Sequence, residues 1–216
     1  MIKILEIILI KDDNMNLTRI NPKNPDKDKI KRFIEILRDG GVIVYPTDTV
    51  YGIGANIFNE DAVRRVYSIK KREYGKPISV CVSSVDEIDK IAFLDLSSKR
   101  FIEKILPGPF TVILDRKDHV PDILTAGSKK IGVRIPNSPL CMELSREFPI
   151  TTTSANLSGG KVLESVDDIL RELGEAVDVV IDAGPIRKAQ PSTVIDLTGS
   201  KPKILRKGSD LPFYII

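Results

Sequence analysis

The sequence has few of the residues on which most metal and nucleophile chemistry depends. Its 216 residues include two cysteines, one histidine and no tryptophan. Cys81 and Cys141 lie far apart in the chain, so they outline no disulfide framework and fit a reducing compartment. Together with His119 they are too few and too scattered for a zinc site of the usual kind. A Ser-His or Cys-His nucleophile would have to use His119, which sits in a proline-flanked, loop-like stretch. No apolar run reaches the ~18–20 residues of a membrane span. Charge of one sign is scarce too. Thirty-three basic against 30 acidic residues leave a net +3, which permits contact with nucleic acid without arguing for it. There is no internal repeat, low-complexity tract or clear linker. These absences point to a cytoplasmic protein with no metal site.

What is present reads as a globular domain. Hydrophobic residues make up 42% and charged residues 29%, too apolar for a disordered chain. A domain of this length buries roughly 70% of its unfolded surface and needs no staples. The expectation is one domain over residues 1–216, with a core at about 26–208 and residues 1–15 as an extra N-terminal segment. Met1 to Ile10 is apolar, but Lys3 and Glu6 interrupt it and no small-residue cleavage site follows. It reads as an edge strand rather than a signal peptide. Met15 offers an alternative start.

Along the chain, Asp26 is placed to cap a helix reaching Asp39, with Ile30, Phe33, Ile34 and Leu37 as its apolar stripe. Val42 to Tyr45 reads as a buried strand that opens at Pro46 into a glycine-bearing loop through Gly54. Asn59 caps a second helix ending in Lys70-Lys71-Arg72. Strands are expected at 78–82, 110–114, 131–135, 150–153, 177–181, 193–197 and 204–205. Helices are expected from Ser84, from about Ser97, over 139–147 and from Ser165. Strands alternate with helices early and crowd together late. This order predicts an α/β fold with a mixed sheet and flanking helices. Residues 184–190 read as a mobile polar loop.

Several segments could carry chemistry. Thr47 and Thr49 lie beyond a strand's carboxyl end, where α/β sheets place ligands, although an ordinary glycine turn reads the same way. Lys70, Arg72 and Lys76 are three cations within seven residues, suited to a triphosphate and also to a solvated helix end. Thr151 to Gly160 runs from hydroxyl residues into glycines. It has no phosphate-loop lysine spacing, but its hydroxyls and N–H groups suit an anion. Lys130 and Arg134 share a strand face, and Arg134 in an apolar strand wants a carboxylate from the protein or from a ligand. Ser192 and Arg206 flank late strands. No carboxylate pair offers acid and base, so proximity and electrostatics would do most of the catalysis.

Tyr45-Pro46-Thr47-Asp48-Thr49-Val50-Tyr51-Gly52-Ile53-Gly54 resembles the opening signature of the YrdC-like threonylcarbamoyl-AMP synthases. Lys70-Lys71-Arg72 with Lys76-Pro77, Pro107 to Thr111, Gly132 to Pro136, Thr153 to Gly159, Pro191 to Val194, and Arg206 with Gly208 match the same family in order. The resemblance implies a twisted α/β fold with a concave basic face. It implies condensation of L-threonine, bicarbonate and ATP to threonylcarbamoyl-AMP and pyrophosphate, with Mg²⁺ carried by the nucleotide. The product would pass to a separate transferase complex that modifies tRNA, and weak contact with tRNA would be compatible. By position, Lys70, Arg72, Lys76 and Lys130 would face ATP phosphates, Ser154 and Asn156 the α-phosphate and nucleoside, and Arg206 would close on the nucleotide. Thr49, Arg134, Thr152 and Ser192 would hold threonine.

The sequence departs from the family at two of these places. Glu73 stands where Pro is common, and Cys81 stands where some relatives carry a His near threonine. The length resembles the short, single-domain form. Two rival readings share the basic concavity: an RNA-binding module without catalysis, and carbamoyl transfer to another acceptor.

Overall fold

The computed structural model describes residues 17–186 and 189–208. The expected edge strand at Met1 to Ile10 and the alternative start at Met15 lie outside them. Caps and stripes form as the sequence dictates. The Asp26 carboxylate accepts the N–H groups of Asp28 and Lys29, starting α1 (Lys27–Arg38), whose stripe Ile30, Phe33, Ile34 and Leu37 is buried. Gly40, at φ +86°, turns the chain out of that helix. Asn59 caps α2 (Glu60–Ile69). Ser84 accepts the Glu87 N–H at the start of α3 (Val85–Ile91), and Asp95 begins α4 (Leu96–Ile105). A single turn, α5 (Asp122–Thr125), is an addition to the expected elements. The helices α6 (Pro139–Leu144) and α7 (Val166–Leu173) complete the set, α6 stopping short of the expected Glu147.

The α/β class with mixed sheets and flanking helices holds, but the strands divide between two sheets. One runs β1 (Leu17–Arg19), β9 (Val179–Asp182), β2 (Ile43–Pro46), β3 (Tyr51–Gly54), β8 (Thr153–Ser154). The other runs β11 (Lys203–Arg206), β10 (Thr193–Asp196), β5 (Phe110–Asp115), β6 (Lys130–Arg134), β4 (Val80–Cys81), β7 (Ile150–Thr151). Each contains parallel and antiparallel pairs. The larger apolar core includes residues of both sheets and of α2, α3, α4 and α7. A smaller one joins α1 and α6 to β2 and β9 and holds both cysteines.

Two expectations change, and both changes shape the site. The segment expected to be a loop from Thr47 to Gly54 is a turn at 47–50 followed by β3, antiparallel to β2. Its glycines answer to packing. A Cβ on Gly54 would meet Tyr45 Cε1 at 2.9 Å, and one on Gly52 would sit 3.4 Å from the same ring. The Tyr45 ring therefore lies close over the β3 backbone, where a side chain at Gly54 would displace it and one at Gly52 would be in contact with it. The second change is at 150–153, expected as one strand. There the chain leaves the second sheet after Thr151 and joins the first at Thr153. Thr151 ties the two sheets together. Its hydroxyl donates to Ile53 O (2.8 Å) and accepts the Ala55 N–H (3.0 Å), while its own N–H reaches Ala55 O (2.8 Å). Thr152, between the two strands, donates its N–H to Ser79 O (2.7 Å). Of the expected mobile loop, residues 184–186 and 189–190 are described and have no regular structure. Its start is anchored, since the Tyr51 hydroxyl donates to Gly184 O (2.7 Å) and accepts the Ala183 N–H (3.1 Å). Among the described residues, no helix is long and apolar enough to cross a membrane.

Candidate active site

A cavity of about 200 Å³ lies on the side where β2 ends and β8 begins, beside the switch of the chain between sheets. The turn at 47–50 supplies one wall. The Thr47 hydroxyl donates to Val50 O (2.6 Å) and accepts the N–H groups of Thr49 (3.1 Å) and Val50 (3.2 Å), locking the turn. Held this way, Asp48 forms an ion pair with Arg134 and accepts the Asn137 N–H (2.9 Å). The second Arg134 amino group donates to Thr49 Oγ1 (3.0 Å). Arg134 is 5% exposed and borders the cavity. The carboxylate that a buried arginine requires thus comes from Asp48. Its Nε is buried and has no hydrogen-bond partner among the described residues.

The carboxyl end of α2 supplies a second wall. Arg72 Nε donates to Lys76 O (3.1 Å) and Nη2 to Pro77 O (2.9 Å), fixing the guanidinium against the loop that leads to β4. Lys70 is 1% exposed and points beneath the wall. Its ammonium meets Ser154 O, Asn156 O (2.7 Å) and Asn156 Oδ1 (3.5 Å). Burial, followed by the nearby Arg72 charge, lowers the Lys70 pKa to about 8, partly offset by Glu172. Lys76 pairs with Glu73 at 3.3 Å on the surface.

The third wall comes from β5 and the approach to β10. Ser192 Oγ and Thr111 Oγ1 are 2.7 Å apart. Arg206 folds back from β11, its Nε and Nη2 donating to Ser192 O at 3.2 and 2.8 Å. Burial, reinforced by the Arg134 charge, lowers the Arg206 pKa.

Of the residues expected from sequence, the fold gathers Arg72, Arg134, Thr152, Ser154, Ser192 and Arg206 around one cavity. Lys70, Thr49 and Asn156 lie one layer behind, bonded to the lining. Lys130 lies elsewhere. Strand alternation puts it on the Arg134 side, but at the opposite end of β6, where its ammonium holds Asp196 (3.0 Å). Cys81 is fully buried in the smaller core and faces Ser145 Oγ at 3.7 Å. Thr47, Ser79, Thr111 and Thr153 also line the cavity, and Asp48 stands behind Arg134. Asp48 was the most legible of these, because a carboxylate between two threonines was available to an arginine that needed one.

Residues 35–208 match the Sua5, YciO and YrdC pattern, described as telomere recombination. The chain belongs to the Sua5/YciO/YrdC family. A putative threonylcarbamoyl-AMP synthase of Methanocaldococcus jannaschii is 43% identical over 187 residues, covering 85% of this chain and 89% of the relative. The crystal structure of Escherichia coli YciO superimposes with a TM-score of 0.86 at 30% identity, over 94% of this chain and all of the other. Sua5 of Pyrococcus abyssi, crystallised with L-threonine, gives a TM-score of 0.84 at 30% identity. That match covers 89% of this chain, and this chain spans 57% of the Sua5 structure. In this Sua5/YciO/YrdC chain the matched region contains every described residue that lines the cavity.

Proposed function

We propose that the chain is an L-threonylcarbamoyladenylate synthase, joining L-threonine, bicarbonate and ATP to give threonylcarbamoyl-AMP and pyrophosphate. The observation that carries this reading is the make-up of the cavity wall: three arginines and a row of serine and threonine hydroxyls, with no carboxylate among the described residues of the lining. Such a wall receives anions. Forming an adenylate brings a carboxylate-type oxygen to the α-phosphorus as pyrophosphate leaves, and two anionic reactants repel one another until cations screen them.

In this reading Arg72 and Arg206 meet the triphosphate with the guanidinium N–H groups that the main chain leaves free, with Lys76 at the exposed end of the loop that follows Arg72. Ser154 and the turn around Asn156 face the α-phosphate and nucleoside. Arg134, steadied by Asp48 and Thr49, takes the threonine carboxylate, and Thr152 and Ser192 face the rest of the amino acid. Lys130 is given no part in this reading, since its ammonium is on Asp196 at the far end of β6 and it does not line the cavity. A Mg²⁺ that entered with ATP would be carried by the phosphates and would supply charge neutralisation there. The enzyme is then a nucleotidyltransferase whose product is consumed by a separate tRNA-modifying transferase.

The test is pyrophosphate release from ATP and bicarbonate with and without L-threonine. Arg72→Ala should lower kcat/KM at least ~100-fold, as loss of a charge-bearing donor at an oxyanion does. Its melting temperature should stay within about 2 °C, since the Arg72 hydrogen bonds lie at the surface. Pyrophosphate release that ignores threonine refutes the reading. Tight, salt-sensitive RNA binding without turnover would favour the RNA-binding alternative, and turnover of carbamoyl phosphate in place of bicarbonate would favour carbamoyl transfer to another acceptor.

A further inference from the structure

Lys70 matches a signature lysine expected at the phosphates, yet its ammonium is spent inside the protein. It has three protons and three acceptors: Ser154 O, Asn156 O and Asn156 Oδ1. Two main-chain carbonyls converging on one buried point repel each other unless a donor lies between them, and here the donor is Lys70. The grip is reciprocal, because the Lys70 carbonyl accepts the Ser158 N–H at 2.8 Å. Glu172, on α7, holds the same turn by a different group. Its carboxylate accepts the Leu157 N–H at 2.6 Å. Within the turn, the Ser154 hydroxyl donates to Asn156 Oδ1, and Asn156 Nδ2 donates to Gly160 O (2.9 Å). Ser154 is the member that borders the cavity.

We infer that Lys70 and Glu172 are positioning residues that clamp the turn at 154–158, so that nucleotide affinity depends on them through Ser154 and the turn backbone and not through contact between Lys70 and phosphate. The inference rests on the adenylate-forming reading of the cavity. It adds Glu172 to the residues on which binding depends, and it takes Lys70 away from the phosphate tail.

The two roles for Lys70 differ in how a loss varies with phosphate number. A lysine on the phosphate tail matters more as phosphates are added, because the charge it meets grows. A lysine that shapes the turn at the α-phosphate and nucleoside matters equally for AMP, ADP and ATP. The experiment is calorimetric titration of AMP, ADP and ATP into the wild type, Lys70→Met, Glu172→Ala and Arg72→Ala, each shown folded by circular dichroism. Expected is a weakening of about tenfold in Lys70→Met and about threefold in Glu172→Ala, which removes the acceptor of the Leu157 N–H, each uniform across the three nucleotides. Arg72→Ala should give a loss that grows from AMP to ATP. A graded loss in Lys70→Met overturns the inference, and so does wild-type affinity in Glu172→Ala. If Lys70→Met does not fold, Glu172→Ala alone decides, because its side chain is on the surface and outside the cavity. A wild type that binds none of the three nucleotides would instead refute the adenylate-forming reading.

Discussion

Removing Asp48 is the sharpest probe of how this site is built. The Asp48 and Arg134 side chains are 12% and 5% exposed, so solvent and salt do little to screen their ion pair. Among the described residues, Asp48→Ala leaves the buried guanidinium with Thr49 as its remaining acceptor, and its Nε has none to begin with. Stripping one partner from a buried pair costs about 3–5 kcal/mol, because the other charge stays buried and uncompensated. For a chain of this size that corresponds to a fall in melting temperature of roughly 6–20 °C. The Arg64–Glu60 pair is the internal control. Both of its side chains are more than half exposed, and Glu60→Ala should change stability by no more than about 0.5 kcal/mol. Thermal and urea unfolding of the two variants make the comparison. In the pyrophosphate assay, Asp48→Ala at a temperature where it is folded should raise the KM for threonine far more than the KM for ATP, since Arg134 loses the contact that aims it. An Asp48→Ala protein within about 1 kcal/mol of wild type, with unchanged threonine dependence, would refute the role of Asp48 as the partner that neutralises and aims Arg134.

Two further outcomes are expected. Thr151→Val keeps the side-chain shape but leaves Ile53 O without the hydroxyl donor and Ala55 N–H without an acceptor, both deep between the sheets. It should cost about 1–3 kcal/mol, measured by urea unfolding. Lys70 titrates at about 8 in the folded chain against an ordinary value of 10.5, so between those pH values the unfolded chain binds more protons. Stability should therefore gain a rising contribution from Lys70 as pH climbs from about 8 to 10.5, and none from it below that window. The difference between wild type and Lys70→Met, followed by urea unfolding across this range, isolates that slope, and a flat difference would contradict it.

Much of the local architecture can be read along the chain because it depends on neighbours in sequence. Asp26, Asn59, Ser84 and Ser165 cap the helices they precede, since a cap needs only a side-chain oxygen within a few residues of unpaired N–H groups. The stripe on α1 follows from the helical repeat alone. The same kind of argument reaches part of the site. An arginine in an apolar strand has to be neutralised whatever the fold, and so Arg134 stands out from the chain's residues alone.

What sequence-local reasoning cannot supply is which distant groups meet. Gly52 and Gly54 read as a loop because nothing nearby in the chain shows that the Tyr45 ring will lie against them. Residues 150–153 read as one strand because pairing partners decide strand membership, and here β4 claims Thr151 while β3 claims Thr153. The cations make the same point. Lys70, Arg72, Lys130 and Arg206 carry like charge at neutral pH, yet Arg72 and Arg206 border the cavity, Lys70 is drawn beneath the turn by two carbonyls, and Lys130 is held by Asp196. Hydrophobic patterning by itself determined the α/β class, and charge and motif pointed to a cluster of cations and hydroxyls suited to an anion. Which cation faces the anion, and which holds the wall in place, was decided only when the tertiary structure brought acceptors from 80 or more positions away to Lys70.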